Sequence, residues 1–72
     1  MKGQYSTFRY EFQDDSLIIS SADPGIGELK RYPLHGSLPE TEGEAALIAK
    51  GRIDLDMEEL SDIEISLDKG GH

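Results

Sequence analysis

Apolar and polar positions alternate over residues 5–13, YSTFRYEFQ. Phe8, Tyr10 and Phe12 share one parity, and a period of two places their side chains on one face of a β-strand. An aromatic face of this kind can stack nucleic-acid bases, but that function needs a basic groove, and only Arg9 lies nearby, on the opposite face. We therefore expect the three rings to pack in the core.

A second strand is predicted to follow through a hairpin turn. The two aspartates at 14–15 favour a turn, and the segment SLIISSA at 16–22 supplies an extended, β-branched return strand. Residues 23–25 read Asp-Pro-Gly, which predicts another turn because proline presets φ and glycine accepts a positive φ. Residues 28–32 are predicted to form a short strand that Pro33 either places at an edge of the sheet or ends, since proline cannot donate to a sheet.

The polar segment 34–44 is predicted to be a loop because glycine and proline interrupt it. A strand is favoured over residues 46–56, where apolar and charged residues again alternate. One parity carries Ala45, Leu47, Ala49, Ile53 and Leu55. The other parity carries Lys50, Arg52, Asp54 and Asp56.

A helix over residues 38–50 is the alternative for this region. Ser37 and Glu40 match a capping box, the segment that follows is rich in alanine, a poor strand former, and Gly51 would end the helix. Gly43 opposes this alternative, because glycine inside a helix costs about 1 kcal/mol relative to alanine.

Residues 57–62 break the alternation and are predicted to connect to a last strand, in which Ile63, Ile65 and Leu67 alternate with polar residues. The predicted fold is all-β: one small domain of about five antiparallel strands, built from two hairpins. An α+β fold with a helix near 38–50 is the alternative. Residues 1–4 and 69–72 are predicted to be flexible ends. The second hairpin would join the strands predicted at 46–56 and 63–67. Its core face would consist of Ile53, Leu55, Ile63, Ile65 and Leu67.

Composition makes the core small. The chain has 72 residues, of which 36% are hydrophobic and 31% charged, and a chain of this length buries only about 60% of its unfolded surface. With no cysteine, disulfides, thiolate zinc sites and cysteine nucleophiles are excluded. Oligomerisation, as a homodimer, is the remaining way to enlarge the core.

Charge is concentrated in the second half. The formal net charge is −8, and residues 37–72 carry ten acidic and three basic side chains, a net of −7. An acidic surface repels phosphates, so direct nucleic-acid binding is not expected. A protein with a basic surface is the expected partner. The residues predicted to bind it are Asp54, Asp56, Glu58, Glu59, Asp62 and Glu64.

The same acids do not match a metal or catalytic site. Asp54, Asp56 and Glu58 occupy positions 1, 3 and 5 of an EF-hand-like loop, but Glu59 and Ile65 stand where the loop needs glycine and a bidentate glutamate. No serine-nucleophile or phosphate-loop motif is present, and the chain has no room for a deep sugar cleft between paired carboxylates. We expect no catalytic residue, no metal and no cofactor.

No stretch approaches the ~20 apolar residues of a membrane span, and the start, MKGQYSTFRY, lacks the apolar region of a signal peptide. The sequence therefore predicts a cytoplasmic protein without a membrane partner. The predicted function is a small acidic, non-catalytic protein–protein interaction module. Two alternatives are a nucleic-acid mimic that inhibits a nucleic-acid-binding protein, and a weak divalent-cation-binding or enzyme accessory domain.

Overall fold

The computed structural model describes residues 1–70, which form an α+β fold of four strands followed by two helices. The sheet is antiparallel in the order β1-β2-β3-β4, so each strand pairs with its neighbours in the chain and β1 and β4 form the edges. The elements are β1 (Lys2–Tyr5), β2 (Phe8–Gln13), β3 (Ser16–Ser21), β4 (Glu28–Pro33), α1 (Glu42–Leu55) and α2 (Met57–Gly70).

The hairpin predicted from the alternating pattern is confirmed as β2 and β3, although its first strand begins at Phe8 and Tyr5 belongs to β1. Asp14 and Asp15 both have positive φ, 51° and 63°, as in the two-residue turns whose twist matches that of the strands they join. Phe12 lies opposite Leu17 in the resulting register. The strand predicted at 28–32 is confirmed as β4, which extends by one residue to its terminal proline.

The core lies between one face of the sheet and the two helices. Its fully buried members are Phe8, Leu17 and Ile19 from the sheet, Ala45, Ala49 and Ile53 from α1, and Leu60 from α2. Tyr10 and Phe12 pack against this cluster as half-buried residues, so the prediction that the aromatic stripe faces the core is confirmed. Alanine on α1 lets the helix backbone approach the sheet closely, because its side chain is small.

The strand predicted over residues 46–56 is wrong, since this segment lies in α1. A strand and a helix place the odd-numbered residues of this segment on different faces. In a strand they share one face, but in a helix each step of two residues turns by about 200°. Ala45, Ala49 and Ile53 therefore form the buried side of α1. The residues two positions later in each case, Leu47, Gly51 and Leu55, fall on the opposite, exposed side.

The alternative of a helix in this region is confirmed, with different ends. The helix begins after Thr41, whose side-chain oxygen accepts a hydrogen bond from the Glu44 backbone N–H at 3.1 Å. Thr41 and Glu44 thus have the spacing of a capping box, which the sequence also offers at Ser37 and Glu40. Gly51 does not end the helix, because the burial of Ile53 one half-turn later offsets the cost of glycine.

The last predicted strand, over residues 63–67, is also wrong, because α2 covers this segment. Helical geometry separates three residues that a strand would place on one core face. Ile63 is half-buried, whereas Ile65 and Leu67 are 53% and 44% exposed. Leu60 is the fully buried side chain of α2. The all-β prediction therefore gives way to an α+β fold.

The ends of the chain also differ from the pattern-based assignment. The sequence assigns no strand to residues 1–4, whereas Lys2–Tyr5 pairs with β2 as an edge strand. At the other end α2 includes Lys69 and Gly70. The remainder of the predicted tail, Gly71 and His72, lies outside the described residues. Within residues 1–70, neither helix has the length and apolar character that crossing a membrane requires.

Candidate protein-binding surface

Four of the six acidic residues predicted to bind a partner accept hydrogen bonds from side chains of the sheet. The pairs are Tyr5 to Asp54 (2.9 Å), Tyr32 to Asp56 (2.7 Å), Lys30 to Glu59 (2.9 Å) and Ser21 to Glu64 (2.5 Å). Each pair joins a strand to a helix or, for Asp56, to the residue between the two helices, so these carboxylates help to hold the helical layer on the sheet. Their charge is therefore only in part available to another molecule.

Tyr32 is the centre of the most connected of these pairs. Its hydroxyl donates to Asp56, the residue between the two helices, and its ring lies 5.2 Å from the Lys30 ammonium and 5.2 Å from the Arg52 guanidinium. Lys30 also forms the ion pair with Glu59. Burial raises the pKa of the Tyr32 phenol, and the hydrogen bond to Asp56 raises it further. This cluster fixes the junction of α1 and α2 over β4.

Replacing Tyr32 with phenylalanine is expected to lower the free energy of unfolding by about 1 to 2 kcal/mol near pH 7, because it removes a hydrogen bond to a carboxylate. The folded pKa of Tyr32 lies above the unfolded value of about 10. The bond therefore contributes fully below about pH 10 and its contribution is lost as the pH rises from there towards the folded pKa. The difference between wild type and Y32F should shrink accordingly.

Urea unfolding of both proteins between about pH 7 and pH 11.5 measures this difference. The matched control is Tyr10→Phe, since the side-chain hydrogen bonds described for residues 1–70 include none from the Tyr10 hydroxyl. Equal costs for Y32F and Y10F, or a Y32F cost that does not fall above pH 10, would contradict the assignment.

The two remaining acids, Glu58 and Asp62, are exposed on α2. Neither takes part in the side-chain hydrogen bonds or ion pairs found among the described residues. They lie four residues apart and therefore on the same side of the helix. Together with Leu55 and Ser66 they border an open depression of about 590 Å³, which we call the acidic depression.

Two exposed leucines on α1, of which Leu55 borders this depression, were not predicted as surface residues. Leu47 and Leu55 are 75% and 76% exposed, and with Gly51 between them they form one line along α1, which we call the leucine ridge. The strand interpretation places both leucines in the core. The signal that identifies them is the spacing of four residues between positions 47, 51 and 55, which is typical of one side of a helix and not of a strand.

A second depression, of about 410 Å³, lies between the leucine ridge and the end of β4. Its far wall includes Tyr32, Pro33 and Leu34. Leu55 borders both this depression and the acidic one, so the apolar and the acidic surfaces are continuous. A molecule seated on Leu55 can contact both.

Clusters of three or more His, Asp or Glu side chains placed to hold a metal ion are not found in the part of the chain that the structure describes. No protein-family model, curated protein or solved structure matches this chain. The function is therefore inferred from the chemistry of the surface.

Proposed function

We propose that the chain is a small, non-catalytic interaction module whose helical layer binds a protein with a basic surface. Residues 42–70 carry nine acidic and three basic side chains, a net charge of −6. The observation that carries the proposal is the position of Glu58 and Asp62, two exposed carboxylates beside a largely exposed apolar side chain, Leu55. Opposite charge on a partner would steer it to this surface and select against acidic proteins.

The test is a pull-down from lysate with the wild-type chain, E58Q/D62N and a control that removes two acids elsewhere. The control E11Q/D14N changes the net charge by the same amount as E58Q/D62N, but on β2 and the turn that follows it. Both of its residues are exposed. Asparagine also tolerates the positive φ at position 14. We expect basic proteins to be retained at low salt and released at about 0.5 M salt, because exposed charges are screened.

E58Q/D62N should retain much less of these proteins than the wild type, and E11Q/D14N should retain nearly as much. Retention that is unchanged by salt, or an equal loss with both variants, would contradict the assignment of binding to this surface. Retained proteins that bind nucleic acid and are released by competing duplex DNA would instead favour the mimic, which otherwise stays a prediction.

A further inference from the structure

We propose, resting on the function proposed above, that the partner segment is a basic amphipathic helix that lies along the leucine ridge and reaches the acidic depression. Its apolar side chains would contact Leu47 and Leu55, and its lysine or arginine side chains would pair with Glu58 and Asp62. Both halves of this surface are accessible, and they meet at Leu55.

The shape of α1 favours a helix as the occupant. Leu47 and Leu55 are about 12 Å apart along the helix axis, at 1.5 Å per residue, a distance that a helix matches with apolar residues two turns apart. At Gly51 an added Cβ would meet nothing within 4 Å, so the ridge has a notch that can receive a side chain of the partner. Helices recognised in grooves use anchors of this spacing.

Backbone chemistry disfavours an extended segment here. A strand needs free N–H and C=O groups on its host, but the backbone groups in the middle of α1 are bonded within the helix. On the far wall, Pro33 has no N–H to donate. A helix satisfies its own backbone and needs only side-chain contacts from this surface.

Charge distinguishes a basic partner from a second copy of this chain. A second copy seated through the same face would bring two helical layers of net charge −6 together, and like charges at an interface oppose binding. Arg52 also borders the apolar depression, but its guanidinium lies over the Tyr32 ring. Of the six acids predicted to bind a partner, Glu58 and Asp62 have no described side-chain partner, and their charge is what an incoming segment meets at this end.

The experiment is calorimetric titration of the full chain with synthetic peptides of about 18 residues, long enough to form a helix on binding. The first peptide places leucines on one face and lysines on its flanks. The second has the same composition in an order without helical periodicity. The third replaces every lysine with glutamine. We expect the first to bind about tenfold or more tightly than either of the others.

Three variants locate the site. L47S/L55S removes the anchors, E58Q/D62N removes the charges, and Gly51→Gln fills the notch with a good helix former. Each should weaken binding of the first peptide about tenfold, and E58Q/D62N should also reduce its dependence on salt. The control Gly51→Ala adds little bulk and should bind as the wild type does. Since both changes at Gly51 favour the helix, a loss with glutamine alone cannot come from unfolding.

Other outcomes overturn the inference in distinguishable ways. If the first two peptides bind equally and L47S/L55S has no effect, the partner needs charge but not a helix, and only the broader function survives. If the glutamine peptide binds as well as the lysine peptide, the charge argument fails for both proposals. If no peptide binds, or if the chain forms a dimer that Gly51→Gln dissociates, the surface does not serve a basic helix.

Discussion

Replacing Ile53 with alanine is expected to lower the free energy of unfolding by about 2 to 5 kcal/mol, whereas the same change at Leu55 should alter it by less than about 0.5 kcal/mol. Ile53 is fully buried among the sheet and α2 residues of the core, and its truncation leaves a cavity. Leu55 is 76% exposed, so truncation removes little buried surface. At about 0.05 to 0.15 kcal/mol per residue, a chain of 72 residues has a total stability of about 4 to 11 kcal/mol, so the loss at Ile53 is a large fraction of it.

The pair tests the fold of this segment directly, because the two side chains lie two residues apart and a strand would bury both. Urea or guanidinium unfolding of the two variants, with the slope checked for two-state behaviour, gives the comparison. Similar losses from Ile53→Ala and Leu55→Ala would be evidence for the strand and against α1.

Replacing Leu60 with alanine should cost about 2 to 5 kcal/mol as well, and its effect should be concentrated on α2. Leu60 is the residue through which this helix enters the core. Met57, at the start of α2, packs against the core as a half-buried residue, and the other described attachments are polar and partly solvated, namely Glu59 to Lys30 and Glu64 to Ser21. An exposed ion pair such as Glu59 to Lys30 contributes less than about 1 kcal/mol.

Hydrogen exchange followed by residue separates this local effect from general destabilisation. In L60A the amides of α2 should exchange faster by a larger factor than those of β2 and β3. Ile65→Ala is the matched control, since Ile65 lies on the same helix and is 53% exposed. The assignment of α2 would be wrong if I65A cost as much as L60A, or if strand and helix amides accelerated equally.

Three of the four strands, β2, β3 and β4, could be predicted from the sequence because their pairings are local, whereas β1 was not predicted. The β2–β3 hairpin needs only an alternating pattern and a turn, and both lie within residues 8–21. The helices could not be predicted with the same success because residues 45–55 carry apolar residues on two helical sides. These positions share a parity, which resembles a strand, and only the exposure of Leu47 and Leu55 separates the two interpretations.

The candidate surface was predicted in part. The sequence locates the acidic residues, but it does not show which of them the fold uses internally. Tyr5 is 49 residues from Asp54 and Ser21 is 43 residues from Glu64, so these pairs form only when the helices lie on the sheet. The leucine ridge was missed because it depends on the helix that the pattern disfavoured.

The order of the elements along the chain has a consequence for synthesis on the ribosome. All four strands are contained in the first 33 residues, and both helices follow them. At about 5 to 20 residues per second, the last residue of β4 is synthesised about 2 to 7 s before the last residue of α2. During that interval Phe8, Leu17 and Ile19 have no helix to cover them. Neighbouring strands pair early because short loops close rapidly, so the nascent chain would carry a formed but half-uncovered sheet until α1 and α2 arrive.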